Sequence, residues 1–360
     1  MRNRCFRALA VMFLAGAVLG GTQPARAGID DIRDLEQLHL LELSYIPSDC
    51  CAIWITHPQR IEKSPLVAPF LEGGEDPDIE PIPLALLARM PDIEHLDVGI
   101  AQFVAAVSPA TAEVKGPNEI PFVPVLILRF AEAVDGKKLM GTMFPRNIED
   151  MKEVSHAGKT YYADPDAEMA VYLPDDRTMV ISVEKMLQKI ITAKQSSGPL
   201  LDRLRGVDAR HDVIGVVVLD PLRELIEEGA ADVRRGLPPE LAEVADAPKY
   251  AEAAMLTIDF TGEKMIGLTV EARNAKSAVE LEGLVKKGRD GLSNLYTDYR
   301  EEMLKDMPPT LAGPFEVLVA ELFRGFSIDR KDDRVLLGMK RPPSLEDFVR
   351  KLVAEMRRIE

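Results

Sequence analysis

The sequence predicts an α+β fold: two tandem copies of one β-α-β-β-α-β-β-α unit, with mainly antiparallel sheets and helices on one face. Three recurrences carry that expectation. Ala52-Ile53-Trp54-Ile55-Thr56, followed by His57-Pro58-Gln59-Arg60, returns 163 residues on as Gly215-Val216-Val217-Val218-Leu219, followed by Asp220-Pro221-Leu222-Arg223. Asp175-Asp176-Arg177 returns as Asp332-Asp333-Arg334, each a polar turn ahead of an apolar strand, Thr178 to Val183 and Val335 to Met339. After each strand comes a helical stripe at i, i+3, i+4, i+7, i+8: Val183, Met186, Leu187, Ile190 and Ile191, then Leu345, Phe348, Val349, Leu352 and Val353.

Read in order, the chain opens with a secretory signal over residues 1–27. Arg2, Arg4 and Arg7 form the basic start, Ala8 to Leu19 the apolar run, and Ala25-Arg26-Ala27 the small-x-small pattern that places cleavage before Gly28. Twelve apolar residues make about 18 Å of helix, short of the ~30 Å hydrocarbon core of a bilayer. An exported product, periplasmic or extracellular and without a transmembrane span in the mature chain, is expected.

The first copy is read over 28–198 and the second over 199–360, the boundary falling at Gln195-Ser196-Ser197-Gly198-Pro199. In the second copy Leu256, Ile258 and Phe260 alternate with polar neighbours. A turn with Gly262 follows, and Ile266, Leu268 and Val270 resume the alternation, the pattern of a hairpin with one buried face. The matching strands of the first copy are Leu96, Val98 and Ile100, then Val125 to Phe130, with prolines between them. Helices follow at Asp135 to Phe144 and at Asn274 to Gly288, each with an Asx-type cap. Ser182 and Ser344 stand where the last helix of each copy needs an N-cap, and Asp347 adds a capping-box-like start. Residues 289–325, broken at Pro308-Pro309, read as a helical insertion.

Composition narrows the function. With 44 basic and 59 acidic residues the chain carries −15, and the signal removes four arginines and no acid, so the mature protein stands near −19. Phosphate backbones and anionic lipid repel such a chain, and nucleic acid is not expected as a partner. Residues 28–198 hold 28 acids against 15 bases, which makes this half the place to look for a cationic partner. Cys5 leaves with the signal, leaving the neighbours Cys50 and Cys51. Their Cα atoms lie ~3.8 Å apart, so a bridge between them would be strained, and on a strand they would point to opposite faces. One buried thiol and one partly exposed thiol are expected. Trp54, in mid-strand, is read as core.

Tyr45-Ile46-Pro47-Ser48-Asp49, the strand after it and His57-Pro58-Gln59-Arg60 resemble a family of uncharacterised exported bacterial proteins. Those proteins begin YIPADA…HPxR and are likewise built from two halves. The resemblance implies architecture and brings no catalytic residue.

Sites of chemistry are few. His39, His57, His95, His156 and His211 are scattered, with no pair at metal-ligand spacing, and no metal or cofactor is expected. Glu72 to Glu80 and Asp164 to Glu168 offer oxygen atoms but lack the spacing of a calcium loop, and read as solvated loops. G-x-S-x-G, H-E-x-x-H, G-x-x-x-x-G-K-[ST] and G-x-G-x-x-G are all missing, so no catalytic residue is assigned. The candidate ligand-binding residues are His57, Arg60, Asp220 and Arg223, at the two strand-to-helix corners. Asp220 suits an N-cap and Pro221 the first helical position, while Arg60 and Arg223 oppose the helix dipole and need a carboxylate or a bound anion nearby. The functional expectation is a non-catalytic binding or scaffolding protein of the cell envelope, with an unknown protein or small molecule as partner. The alternative is an exported hydrolase-type enzyme with its site at the junction of the halves.

Overall fold

A computed structural model describes residues 43–71, 100–109, 122–143, 151–164, 169–193, 197–305 and 307–359. The signal segment, Leu96, Val98 and the stretch Glu72 to Glu80 lie outside them. The protein is a mixed α+β chain with antiparallel strand pairing. It divides into two compact units: one holds residues up to Lys63 with Phe70–Val216, the other Ser64–Pro69 with Val217–Glu360.

In the first unit the elements run β1 (Ala52–Thr56), α1 (Pro58–Glu62), β2 (Ile100–Pro109), β3 (Phe122–Phe130), α2 (Gly136–Met143), β4 (Lys152–His156), β5 (Lys159–Asp164), β6 (Met169–Tyr172), β7 (Thr178–Val183), α3 (Glu184–Thr192) and α4 (Pro199–Leu204). The chain then enters β8 (Val213–Val218), within which it passes to the second unit. The sheet order is β8-β1-β2-β3-β7-β6-β5-β4. Pro124, in a stretch that reads as a longer loop or an irregular edge, sits inside β3 opposite Val107. The Asx cap of α2 forms as expected, Asp135 Oδ1 accepting from the Lys137 and Lys138 backbone N–H groups.

Helices cover both faces of this sheet, which corrects the expectation of one. Consecutive strand residues point to opposite sides. Tyr161 is fully buried and donates its hydroxyl to Glu184 at 2.7 Å, while Gln188 donates back to it, so α3 lies on its side. The ring of the next residue, Tyr162, lies under the Lys137 ammonium of α2. Both sides of β3 are buried accordingly: Val125 and Ile127 on one, Leu128 and Phe130 on the other.

The Tyr45-to-Asp49 motif has a structural part here. Ile46 is buried, the Tyr45 ring meets Tyr172 edge-on at 6.1 Å, and Asp49 pairs with Lys189 of α3 at 2.5 Å. Gly198 holds φ +151 and packs so closely on Ser48 that a Cβ would lie 2.1 Å from its carbonyl oxygen.

The second unit runs from a 3₁₀ turn (Asp220–Leu222) through α5 (Arg223–Gly236) and a train of 3₁₀ turns (Pro239–Lys249). It continues with β9 (Ala251–Ile258), β10 (Lys264–Ala272), α6 (Ala275–Lys305), α7 (Pro309–Gly325), β11 (Phe326–Lys331), β12 (Arg334–Lys340) and α8 (Leu345–Ile359). Its strand order is β9-β10-β12-β11. The β9–β10 hairpin keeps the expected face, with Leu268 opposite Leu256 and Ile266 opposite Ile258. Asp259 closes its turn by accepting from the Thr261 and Gly262 backbone N–H groups.

Helices lie on one face in this unit. Ala278, Leu281 and Val285 of α6 pack on Val270, Val335 and Leu337, and Phe315, Leu318 and Phe348 pack on Ile266 and Met339. Each of the Val, Leu, Ile, Met and Phe side chains among them contributes about 1.5–3 kcal/mol by leaving water. Asn274 caps α6 through the Ser277 N–H. The helix does not stop at Gly288 but runs to Lys305, so the expected insertion is the far half of α6 followed by α7.

The serine caps are not formed as expected. Ser182 stays in β7 and donates to the Pro124 carbonyl, and Ser344 donates its hydroxyl and its N–H to Glu321 of α7. Trp54 is 41% exposed, on the side of β1 opposite the buried Ile53 and Ile55, so the core reading is wrong for it. Cys50 and Cys51 are both free and both buried. Among the described residues no helix is long and apolar enough to cross a membrane.

Candidate functional site

The four corner residues fall into two separate clusters, one in each unit. In the first unit Pro58 starts α1 as expected, and His57 stands at the N-cap position without capping through its side chain. Its ring turns instead to the chain ahead of β8: Nδ1 donates to the His211 carbonyl at 2.9 Å, while the His57 backbone N–H donates to the Asp212 carbonyl at 3.0 Å. Arg60, one turn on, reaches the Asp212 carboxylate at 3.1 Å; that carboxylate is 2% exposed and the guanidinium 42%. Here is the carboxylate that an arginine in a first helical turn requires. Burial, and then the charge of Arg60, pull the His57 pKa below the ordinary histidine value.

In the second unit Asp220 lies inside the 3₁₀ turn rather than capping it, and Leu219 takes the N-cap position. Arg223 opens α5 and donates to the Asp220 carboxylate at 2.5 Å, to the Ala251 carbonyl at 3.3 Å and to the Pro248 carbonyl at 3.4 Å. This corner is therefore tied to the residues that enter β9.

Arg223 also stands at one end of a cleft between α5 and the 3₁₀ train, about 370 Å³ in volume. From α5 come Arg223, Ile226, Glu227, Ala230 and Arg234, whose spacing places them on one helical face. Ala245, Asp246, Pro248 and Lys249 line the other wall. Arg234 and Lys249 both pair with Asp246, the lysine at 2.7 Å. The Lys249 ammonium and, behind it, the Arg234 guanidinium hold the Asp246 carboxyl below the usual carboxylate range. Sequence reasoning reached Arg223 but not the rest, because the wall facing it is 25 residues downstream and carries no motif.

No family model matches the chain, and no curated protein matches it in sequence. Among solved structures, crystal forms I and III of TP0453 are similar to it at 12% identity and a TM-score of 0.41. The matches cover 87% of this chain and 96% and 97% of those.

Neither thiol is arranged for chemistry. Cys50 Sγ donates to the Ala52 carbonyl and Cys51 Sγ to the Val107 carbonyl. Burial pushes the Cys50 pKa up to about 12 and raises that of Cys51, which keeps both in the unreactive thiol form. Among the described residues no three His, Cys, Asp or Glu side chains are grouped to hold a metal ion.

Proposed function

We propose that this is an exported, non-catalytic binding or scaffolding protein of the cell envelope, built from two tandem copies of a β-α-β-β-α-β-β-α unit. Element order supports the duplication: β1-α1-β2-β3-α2-β6-β7-α3 is followed by β8-α5-β9-β10-α6-β11-β12-α8. The neighbour order β2-β3-β7-β6 recurs as β9-β10-β12-β11. On this reading the β4–β5 hairpin, α4, the 3₁₀ train and α7 are additions to one copy each.

The observation that carries the functional reading is the engagement of the corner side chains. Arg60 holds Asp212, His57 holds the His211 carbonyl, and Arg223 holds Asp220 and two backbone carbonyls. Groups bonded in this way brace the strand-to-helix corners of the fold. The α5 cleft, among the described residues, is concave, partly apolar and lined by three cations and two carboxylates, the character of a ligand site.

The test uses the full chain with a C-terminal tag, expressed in a Gram-negative host. An exported product whose intact mass begins at Gly28, stabilised against heat by small molecules that are recovered unchanged, is the expected result. Retention of residues 1–27 in a cytoplasmic product overturns the export part. Conversion of a stabilising compound by the purified wild-type protein overturns the non-catalytic part.

A further inference from the structure

We infer that the cleft between α5 and the 3₁₀ train binds a small organic monocarboxylate with an apolar body. This rests on the reading of the protein as a binding protein and names the ligand class and its contacts. Arg234 and Lys249 converge on one carboxylate, Asp246, so the triad keeps one positive charge in excess. A guanidinium offers five N–H donors and an ammonium three, more than a single carboxylate can accept. Both cations are about half exposed, 48% and 54%, and so are open to a second anionic group.

Arg223 is different. Its guanidinium already serves a carboxylate and two backbone carbonyls, which makes it a fixed wall of the cleft. Glu227 stands one turn after Arg223 on the same face and places negative charge toward that end. The anionic end of a ligand is therefore directed to Arg234 and Lys249. Between the charged ends the lining is apolar, with Ile226 and Ala230 facing Ala245 and Pro248. The two alanines leave the space that a larger side chain would fill. A phosphate dianion suits the cleft less well, because Asp246 and Glu227 repel a second negative charge.

The probes are hexanoate and benzoate, with hexanol and hexylammonium as controls, titrated calorimetrically into the mature wild-type protein. Hexanoate is expected to bind at least about tenfold more tightly than either six-carbon control. Lys249→Met should weaken hexanoate about tenfold, and Ala230→Leu should abolish its binding by filling the cleft. Glu227→Gln, an exposed substitution that leaves the helix intact, should strengthen it by removing a like charge. No hexanoate binding at millimolar concentration, or binding that ignores all three substitutions, overturns the site. Stabilisation by other compounds, with no response to these substitutions, would leave the binding reading in place and remove this cleft from it.

Discussion

Arg60 and Asp212, 152 residues apart in the chain, form an ion pair at 3.1 Å in which the carboxylate is buried and the guanidinium half open. The pair ties the β1–α1 corner to the residues that lead into β8, and His57 reinforces it through the His211 and Asp212 carbonyls. Removing the cation takes the Arg60 charge away from a buried carboxylate. Arg60→Met is therefore expected to cost about 1–3 kcal/mol in urea unfolding. A double-mutant cycle with Asp212→Asn should return a coupling of at least ~0.5 kcal/mol. A coupling near zero would mean that the pair does not hold the corner.

The same corner sets a pH dependence. The His57 pKa lies below its ordinary value of 6.5, first by burial and then by the charge of Arg60. A folded pKa below the unfolded one means that the unfolded chain takes up the proton first. Stability is then full above about pH 6.5 and falls as the pH drops below it, toward the depressed folded value. His57→Asn keeps a donor at the Nδ1 position for the His211 carbonyl and removes the titration. Its stability, measured by denaturant midpoint from pH 7.5 down to about 5, should decline less than that of the wild type.

Gly198 and Gly229 make opposite predictions. Gly198→Ala places a methyl 2.1 Å from the Ser48 carbonyl oxygen at φ +151, and should cost roughly 2–4 kcal/mol. Gly229 lies within α5 with no atom within 4 Å of an added Cβ, so Gly229→Ala should stabilise by about 0.5–1 kcal/mol. Thermal midpoints moving in the same direction would contradict one of these local geometries.

Cys50 and Cys51 are buried, each with its thiol on a backbone carbonyl. A disulfide-exchange reagent at pH 8 should leave both unmodified in the native protein and modify both once urea unfolds it. Rapid reaction of either thiol in the native state would overturn the packing of the segment ahead of β1.

Much of the fold could be read from residue order, and the misses have physical causes. Alternation over Leu256 to Val270 placed the β9–β10 hairpin because one of its faces is covered by helices. Asp135 and Asn274 were found as caps because the bonds they make are local. Trp54 reads as core from its mid-strand position, whereas strand alternation with Ile53 and Ile55 sets it on the other side. The sequence reading ends the Asn274 helix at Gly288, yet Gly288 and Gly291 are both buried inside α6, where a missing side chain favours close packing. The corner residues were visible as a repeated motif, and their partners were not. Asp212 and the carbonyls at 211, 248 and 251 are set by tertiary structure, as is the wall that carries Asp246 and Lys249.

The most direct test of the account compares hexanoate affinity in the wild type, Arg60→Met and Lys249→Met, at a temperature where all three are folded. If the corner side chains hold the fold and the α5 cleft holds the ligand, Arg60→Met binds like the wild type and Lys249→Met binds about tenfold more weakly. Loss of binding in Arg60→Met with full binding in Lys249→Met would contradict both assignments together.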